Sequence, residues 1–253
     1  MASVTSRWIV VPRPDAAARL RLFCFPYAGG GALAFYPWPR GLPAGVEMCA
    51  VQLPGREARL GEAAIGAWNV LLDRLTEALV PFMDRPFAFY GHSLGAHVAF
   101  ELTRRLRRDG RPPPFHLFVG GRRAPHCPMD RPEAHALPDD EFAAELRRLA
   151  GTPEEVLQDR ELLDLLLPML RADFALAERH EWRPEPPLPI PITAYSGTED
   201  EHVPHESVDA WREHTSVRFR HRPLPGGHFF LAESRDALLA DISRELNPLV
   251  HRP

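Results

Sequence analysis

The chain has 253 residues, 45% of them hydrophobic and 25% charged, and a formal net charge of -4. That size holds one domain with an insertion and a large core, and that charge gives no global case for a nucleic-acid partner. No basic segment followed by a long apolar run opens the sequence, and no stretch approaches about 18 apolar residues. A soluble, cytoplasmic protein with no membrane partner is expected.

Leu20 to Phe25 is a short apolar run ending at Pro26 and predicts a strand. It leads into Phe25-Pro26-Tyr27-Ala28-Gly29-Gly30-Gly31, a loop whose consecutive glycines let backbone come close to a bound group. A phosphate cradle would be completed by Lys-Ser/Thr, which does not follow. Val46 to Leu53 predicts a second strand, ending at Pro54-Gly55. Cys24 and Cys49 fall inside these runs and read as buried thiols. With Cys127 they make three cysteines and no CxxC pair, so neither a disulfide framework nor a structural zinc site is expected. Trp68, Leu71, Leu72, Leu75, Leu79 and Phe82 recur at three and four residues, one face of an amphipathic helix, which puts Trp68 and Phe82 in the core.

Phe87 to Tyr90 predicts a strand and Ala96 to Arg108 a helix. Between them stands Gly91-His92-Ser93-Leu94-Gly95. A strand, Gly-x-Ser-x-Gly and a helix make a nucleophile elbow, a turn so tight that the residues two before and two after the serine have no room for side chains. Phe115 to Val119 predicts the next strand. From about Pro128 to Pro187 no strand is convincing, while Asp139 to Leu149, Pro153 to Leu157 and Leu162 to Glu181 read helical. A block of helices between two sheet strands predicts a lid over residues 128-187, inserted into a core of residues 1-127 and 188-253. Ile190 to Tyr195 is then a strand, Val208 to His214 a helix, Val217 to His221 a strand and Ala232 to Leu246 a terminal helix. The 28 prolines cluster between these elements. The alternation predicts an α/β fold with a mostly parallel central sheet and helices on both faces.

A serine hydroxyl is a poor nucleophile at neutral pH unless a base takes its proton, and the base needs an acid to orient it. In the α/β-hydrolase fold these follow in the order serine, acid, histidine. Gly197-Thr198-Glu199-Asp200 leaves one late strand and Gly226-Gly227-His228-Phe229-Phe230 leaves the next. Of the 12 histidines, position favours His228 over His92, His97, His202, His205 and His221. The acid stays open among Glu199, Asp200, Glu201 and Asp209, with loop register favouring Asp200. The stretch Glu199 to Glu206 with His202 and His205 has no cysteine and no helical HExxH, so it reads as a solvated acidic loop and not as a metal site. An oxyanion would be held by the backbone N–H of Leu94 and by a second N–H from the glycine-rich loop.

At these residues the chain resembles a family. Phe25-Pro26-Tyr27-Ala28-Gly29-Gly30 looks like the oxyanion-loop signature of type II thioesterases, the stand-alone enzymes of polyketide synthases and nonribosomal peptide synthetases. Leu53-Pro54-Gly55-Arg56-Glu57, Gly121-Arg122-Arg123-Ala124-Pro125-His126, the elbow and Gly226-Gly227-His228 are similar to further segments of the same family. The resemblance runs from about Leu22 to Leu231, the helical insertion excepted. It implies an α/β-hydrolase fold with Ser93 as nucleophile, Asp200 as orienting acid, His228 as general base, and the N–H groups of Ala28 and Leu94 as the oxyanion hole. Many members carry Met where Leu94 stands, and only the backbone N–H is needed there. The activity implied is hydrolysis of misprimed or stalled acyl groups from the phosphopantetheine arm of acyl or peptidyl carrier domains. The arm belongs to the partner, so no cofactor and no metal of the chain's own are expected, and a monomer is. Arg104, Arg105, Arg107 and Arg108 read as a solvated helix face in preference to a carrier-docking surface. Two rival readings are a general carboxylesterase or lipase with the same triad and a catalytically silent hydrolase-fold binding protein. Lipases more often carry an HGGG-type loop, and a silent relative would have lost at least one of these groups.

Overall fold

In the computed structural model the described residues are 6-128, 133-149 and 151-250. Residues 1-5, 129-132, 150 and 251-253, which fall within the expected core and insertion, lie outside them. The elements are β1 (Ile9–Val10), β2 (Leu20–Phe25), β3 (Val46–Val51), α1 (Trp68–Leu79), β4 (Phe87–His92), α2 (Leu94–Arg108) and β5 (Leu117–Gly120). Then come α3 (Asp139–Arg148), α4 (Glu154–Gln158), α5 (Arg160–Glu178), β6 (Ile192–Gly197), α6 (His205–Asp209), β7 (Phe219–Leu224), α7 (Phe230–Glu233) and α8 (Arg235–Val250). The strands form one sheet in the order β1-β3-β2-β4-β5-β6-β7. Every pairing is parallel except β1 with β3.

The apolar runs of β2 to β6 are buried because both sheet faces are covered. Successive residues point to opposite faces, and the core divides accordingly. Phe23, Phe25, Phe87 and Phe89 pack with Leu75 of α1, Leu102 of α2 and Trp211 on one face. Leu22, Cys24, Ala88 and Tyr90 pack with Trp38 and with Leu238 and Ile242 of α8 on the other. Cys24 and Cys49 are free thiols, one on each face, and both are buried. A third, smaller cluster joins Phe142 and Leu146 of α3, Leu157 of α4 and Leu163, Leu167 and Leu170 of α5. The helices between β5 and β6 thus have an apolar core of their own.

Chain order in the sheet reverses between β2 and β4, with Phe25 paired to Gly91 near their carboxyl ends. A crevice forms at such a switch point, because the two following segments leave toward opposite faces. Here those segments are the glycine-rich loop and the elbow.

Several boundaries differ from the sequence expectation. The antiparallel edge strand β1 is not among the expected strands, although its two residues lie in the short apolar run Trp8-Ile9-Val10-Val11 before Pro12. The last strand is Phe219–Leu224, not Val217 to His221, and Val217 is 61% exposed. As an edge strand with one neighbour, β7 tolerates the polar and proline residues Arg220 to Pro223, so hydrophobicity misplaces it. The helix expected over Val208 to His214 is α6 followed by a 3-10 turn, Ala210–His214. The arginine run of α2 is not a plain solvated face. Arg104 is 3% exposed, its guanidinium 2.8 Å from Glu101 and 2.7 Å from Glu185. Two carboxylates make that burial tolerable. Arg107 and Arg108 also reach Glu185, at 2.6 and 2.8 Å, so the run anchors the segment returning from the helical insertion. Trp68 is only half-buried; its indole N–H donates to the Leu176 carbonyl at 2.8 Å, which ties α1 to α5. Among the described residues no helix is long and apolar enough to cross a membrane.

Candidate active site

Ser93 sits at the junction of β4 and α2 with φ 51° and ψ -114°, a backbone region that costs a non-glycine residue about 1–3 kcal/mol. The surroundings enforce it. A Cβ on Gly91 would lie 2.1 Å from the Gly95 carbonyl oxygen, and one on Gly95 would lie 2.2 Å from that of Phe25. The elbow is therefore pressed directly against the end of β2.

Two loops from distant parts of the chain meet the serine. Asp200, after β6, has its side chain fully buried, and its Oδ2 lies 2.7 Å from Nδ1 of His228, after β7. A carboxylate only accepts, so Nδ1 carries the proton and donates, and Nε2 is left as acceptor. Nε2 lies 3.0 Å from Ser93 Oγ, placed to receive the hydroxyl proton. Burial opposes ionisation of Asp200, but the His228 hydrogen bond and charge and the His202 backbone N–H outweigh it and hold the carboxyl below its usual value. Of the other acids weighed, Glu199 and Glu201 are exposed and Asp209 pairs with Arg212.

The competing histidines are engaged elsewhere. His97 lies against the Arg123 carbonyl, and His205 and His221 both reach Ser196 Oγ. His202 gives its backbone N–H to Asp200. His92 has no exposed surface; its Nε2–H donates to the backbone carbonyl of His228 at 2.8 Å, and its Nδ1 accepts from the Tyr90 hydroxyl at 3.1 Å. Position in the sequence assigns no such role to His92. Its place inside a strand of otherwise apolar residues is the available signal.

Burial, with the His228 imidazole nearby, depresses His92 to about 3, and burial likewise depresses His116 to about 3. For a base lowered on folding, the unfolded chain binds the proton first. This stability is present above the unfolded value and is lost as pH falls toward the folded one. Unfolding free energy is thus expected to drop from about pH 6.5 downward, by about 1.4 kcal/mol per pH unit for each such histidine. Denaturant titrations at several pH values between 7 and 4 measure it; a flat profile would mean that these imidazoles are not held neutral.

Ser93, His228, Leu94 and Ala28 face one cavity of about 990 Å3, its open mouth included. Leu94 is the first residue of α2, so its N–H has no acceptor within the helix. The Ala28 N–H has no acceptor among the described residues. Leu146, Leu149, Leu170 and Phe174, from α3, α5 and the turn between α3 and α4, supply apolar wall. A hydroxyl in line with an imidazole and a buried carboxylate, beside two free N–H groups, is competent for acyl transfer.

The doubly wound sheet, the elbow at its switch point and the serine–histidine–aspartate line define an α/β-hydrolase. The chain matches the model of the thioesterase domain over residues 20–246 and belongs to that family. It is a serine hydrolase acting on thioesters. It is 44% identical over 244 residues to the gramicidin S biosynthesis protein GrsT of Aneurinibacillus migulanus, covering 96% of this chain and 95% of the relative. Among solved structures it is similar to the RedJ thioesterase from the prodiginine pathway in Streptomyces coelicolor, with TM-score 0.85 and 44% identity over 91% of this chain and 92% of that one. BorB, the type II thioesterase of the borrelidin cluster, superposes with TM-score 0.87 at 38% identity, covering 97% and 100% of the two chains.

Proposed function

We propose that this chain is an editing type II thioesterase, which clears stalled or misprimed acyl groups from the phosphopantetheine arm of acyl or peptidyl carrier domains of a polyketide synthase or nonribosomal peptide synthetase. The observation that carries the reading is a single activated hydroxyl, Ser93 at 3.0 Å from His228, opening on a cavity walled by the helices between β5 and β6. Support comes from the near end-to-end match to biosynthetic relatives of the same length.

In this reading His228 takes the Ser93 proton as Oγ attacks the thioester carbonyl. The N–H groups of Ala28 and Leu94 receive the oxyanion. The tetrahedral adduct collapses, the C–S bond breaks and the pantetheine thiol leaves with a proton. Water, deprotonated by His228, then attacks the acyl-serine, and the acid departs while the proton returns to Ser93. A thiol is a better leaving group than an amine, so little general-acid help is needed in the first half. Asp200 keeps the imidazole in the tautomer that both halves require. The steps use no metal and no cofactor of the chain's own. Residues 128-187 act as a lid over the core, and their apolar lining receives the acyl chain.

The discriminating measurement compares release of one acyl group from a loaded carrier protein with cleavage of the matching oxygen ester. The carrier thioester is expected to turn over faster, by kcat/KM. A clear preference for the ester would favour a general carboxylesterase.

A further inference from the structure

Arg56 and Asp173 form an ion pair that is buried almost completely. Arg56, in the loop after β3, is 3% exposed, and Asp173, on α5, is 1% exposed. Their contact is bidentate, with guanidinium nitrogens 2.6 Å from Oδ2 and 2.8 Å from Oδ1. Both partners also hold the glycine-rich loop. The Gly29 N–H donates to Asp173 Oδ2 at 2.8 Å, and Arg56 Nη1 donates to the Gly30 carbonyl at 2.9 Å.

These bonds bear on the neighbouring peptide. The Tyr27 carbonyl, in the same peptide group as the Ala28 N–H, accepts from the Gly30 N–H at 2.9 Å. A planar trans peptide directs its N–H opposite to its carbonyl, so fixing that turn fixes where the Ala28 N–H points. Within the turn, Asp173 grips Gly29 and Arg56 grips Gly30. A salt bridge so buried is weak evidence for stability, since apolar substitutes of similar size often serve as well. Its geometry here is specific to the loop.

We propose that Arg56 and Asp173 are positioning residues for the oxyanion: helix α5 holds the Ala28 N–H in register with that of Leu94 through this pair. The inference rests on the assignment of Ala28 and Leu94 as the hole. Neither residue touches the reacting atoms. The segment between β5 and β6 thereby contributes a part of the catalytic geometry as well as cavity wall.

The test uses a trifluoromethyl ketone analogue of an acyl-pantetheine, which adds to Ser93 as a hemiketal with its oxygen where the oxyanion would lie. Its ionisation is followed by 19F NMR against pH in the whole protein. Asp173→Asn is the first variant. The double variant Arg56→Met with Asp173→Leu is the second, since it leaves no buried charge unpaired. In the wild type the hemiketal should ionise at lower pH than in solution, and in the variants its ionisation should move back toward the solution value. Thioester turnover should show kcat lowered by about 10–100-fold with KM within about threefold, the signature of stabilisation lost in the transition state alone. A depressed ionisation that both folded variants retain would overturn the positioning role and leave the hole assignment standing. No depression in the wild type would overturn the hole assignment, and the proposal with it. Should Asp173→Asn fail to fold, the double variant decides.

Discussion

Ser93→Ala is expected to remove hydrolysis of acyl-pantetheine thioesters, by about 10^6-fold in kcat, while the protein stays folded. The loss follows from the geometry, because without Oγ nothing 3.0 Å from His228 can form the acyl-enzyme. A rate near wild type would take Ser93 out of the mechanism. Stability gives a second, independent readout. Alanine keeps the Cβ and therefore the strained backbone at φ 51°. Glycine relieves it, a gain of about 1–3 kcal/mol against about 0.5–1 kcal/mol of added chain entropy. Ser93→Gly should thus be inactive and melt higher than Ser93→Ala, by about 2–4 °C per kcal/mol gained. Equal melting temperatures would mean that the elbow stores no strain.

The second large effect lies with the base and its orienter. His228→Ala leaves an unassisted hydroxyl, and Asp200→Asn leaves an imidazole free to adopt the wrong tautomer. The first is expected to lower kcat by about 10^6-fold and the second by about 10^4-fold. Glu199→Gln, next in sequence to Asp200 but exposed, should change the rate less than about twofold, as a surface substitution outside the hydrogen-bonded line. Single-turnover acylation with a chromogenic thioester measures all three. Equal damage from Glu199→Gln and Asp200→Asn would reassign the acid.

Much of this was legible in the chain, for physical reasons that differ by element. The strands β2 to β5 are buried on both faces and so read as apolar runs. The elbow is legible because sterics leave only glycine at Gly91 and Gly95. Places after strands single out Ser93 and His228 but leave the acid open among four residues, where the family resemblance points to Asp200; the structure brings Ser93, His228 and Asp200 together. What stayed hidden depends on contacts between distant segments. Arg56 belongs to a segment that resembles the family yet carried no assigned role. Asp173 sits among Met169, Leu170 and Leu176, at helical spacing on an apolar face, and a lone carboxylate there is the signal that a partner was waiting. The partner, 117 residues earlier, is a matter of tertiary structure. The arginines of α2 depart from their sequence reading for the same reason, since Glu185 lies at the far end of the insertion. Edge strand β7 was misplaced because one-sided pairing relaxes the demand for apolar residues.

The free cysteines bear on the protein's compatibility with its own substrate. A neighbouring thiolate would compete with Ser93 for the acyl group by thiol–thioester exchange, taking the acyl group as the pantetheine thiol leaves. Only the thiolate reacts in this way. Burial pushes the Cys24 and Cys49 thiols well up, out of reach of neutral pH, and burial raises Cys127 as well. The sheet that positions Ser93 therefore also keeps Cys24 and Cys49 out of competition for the acyl group.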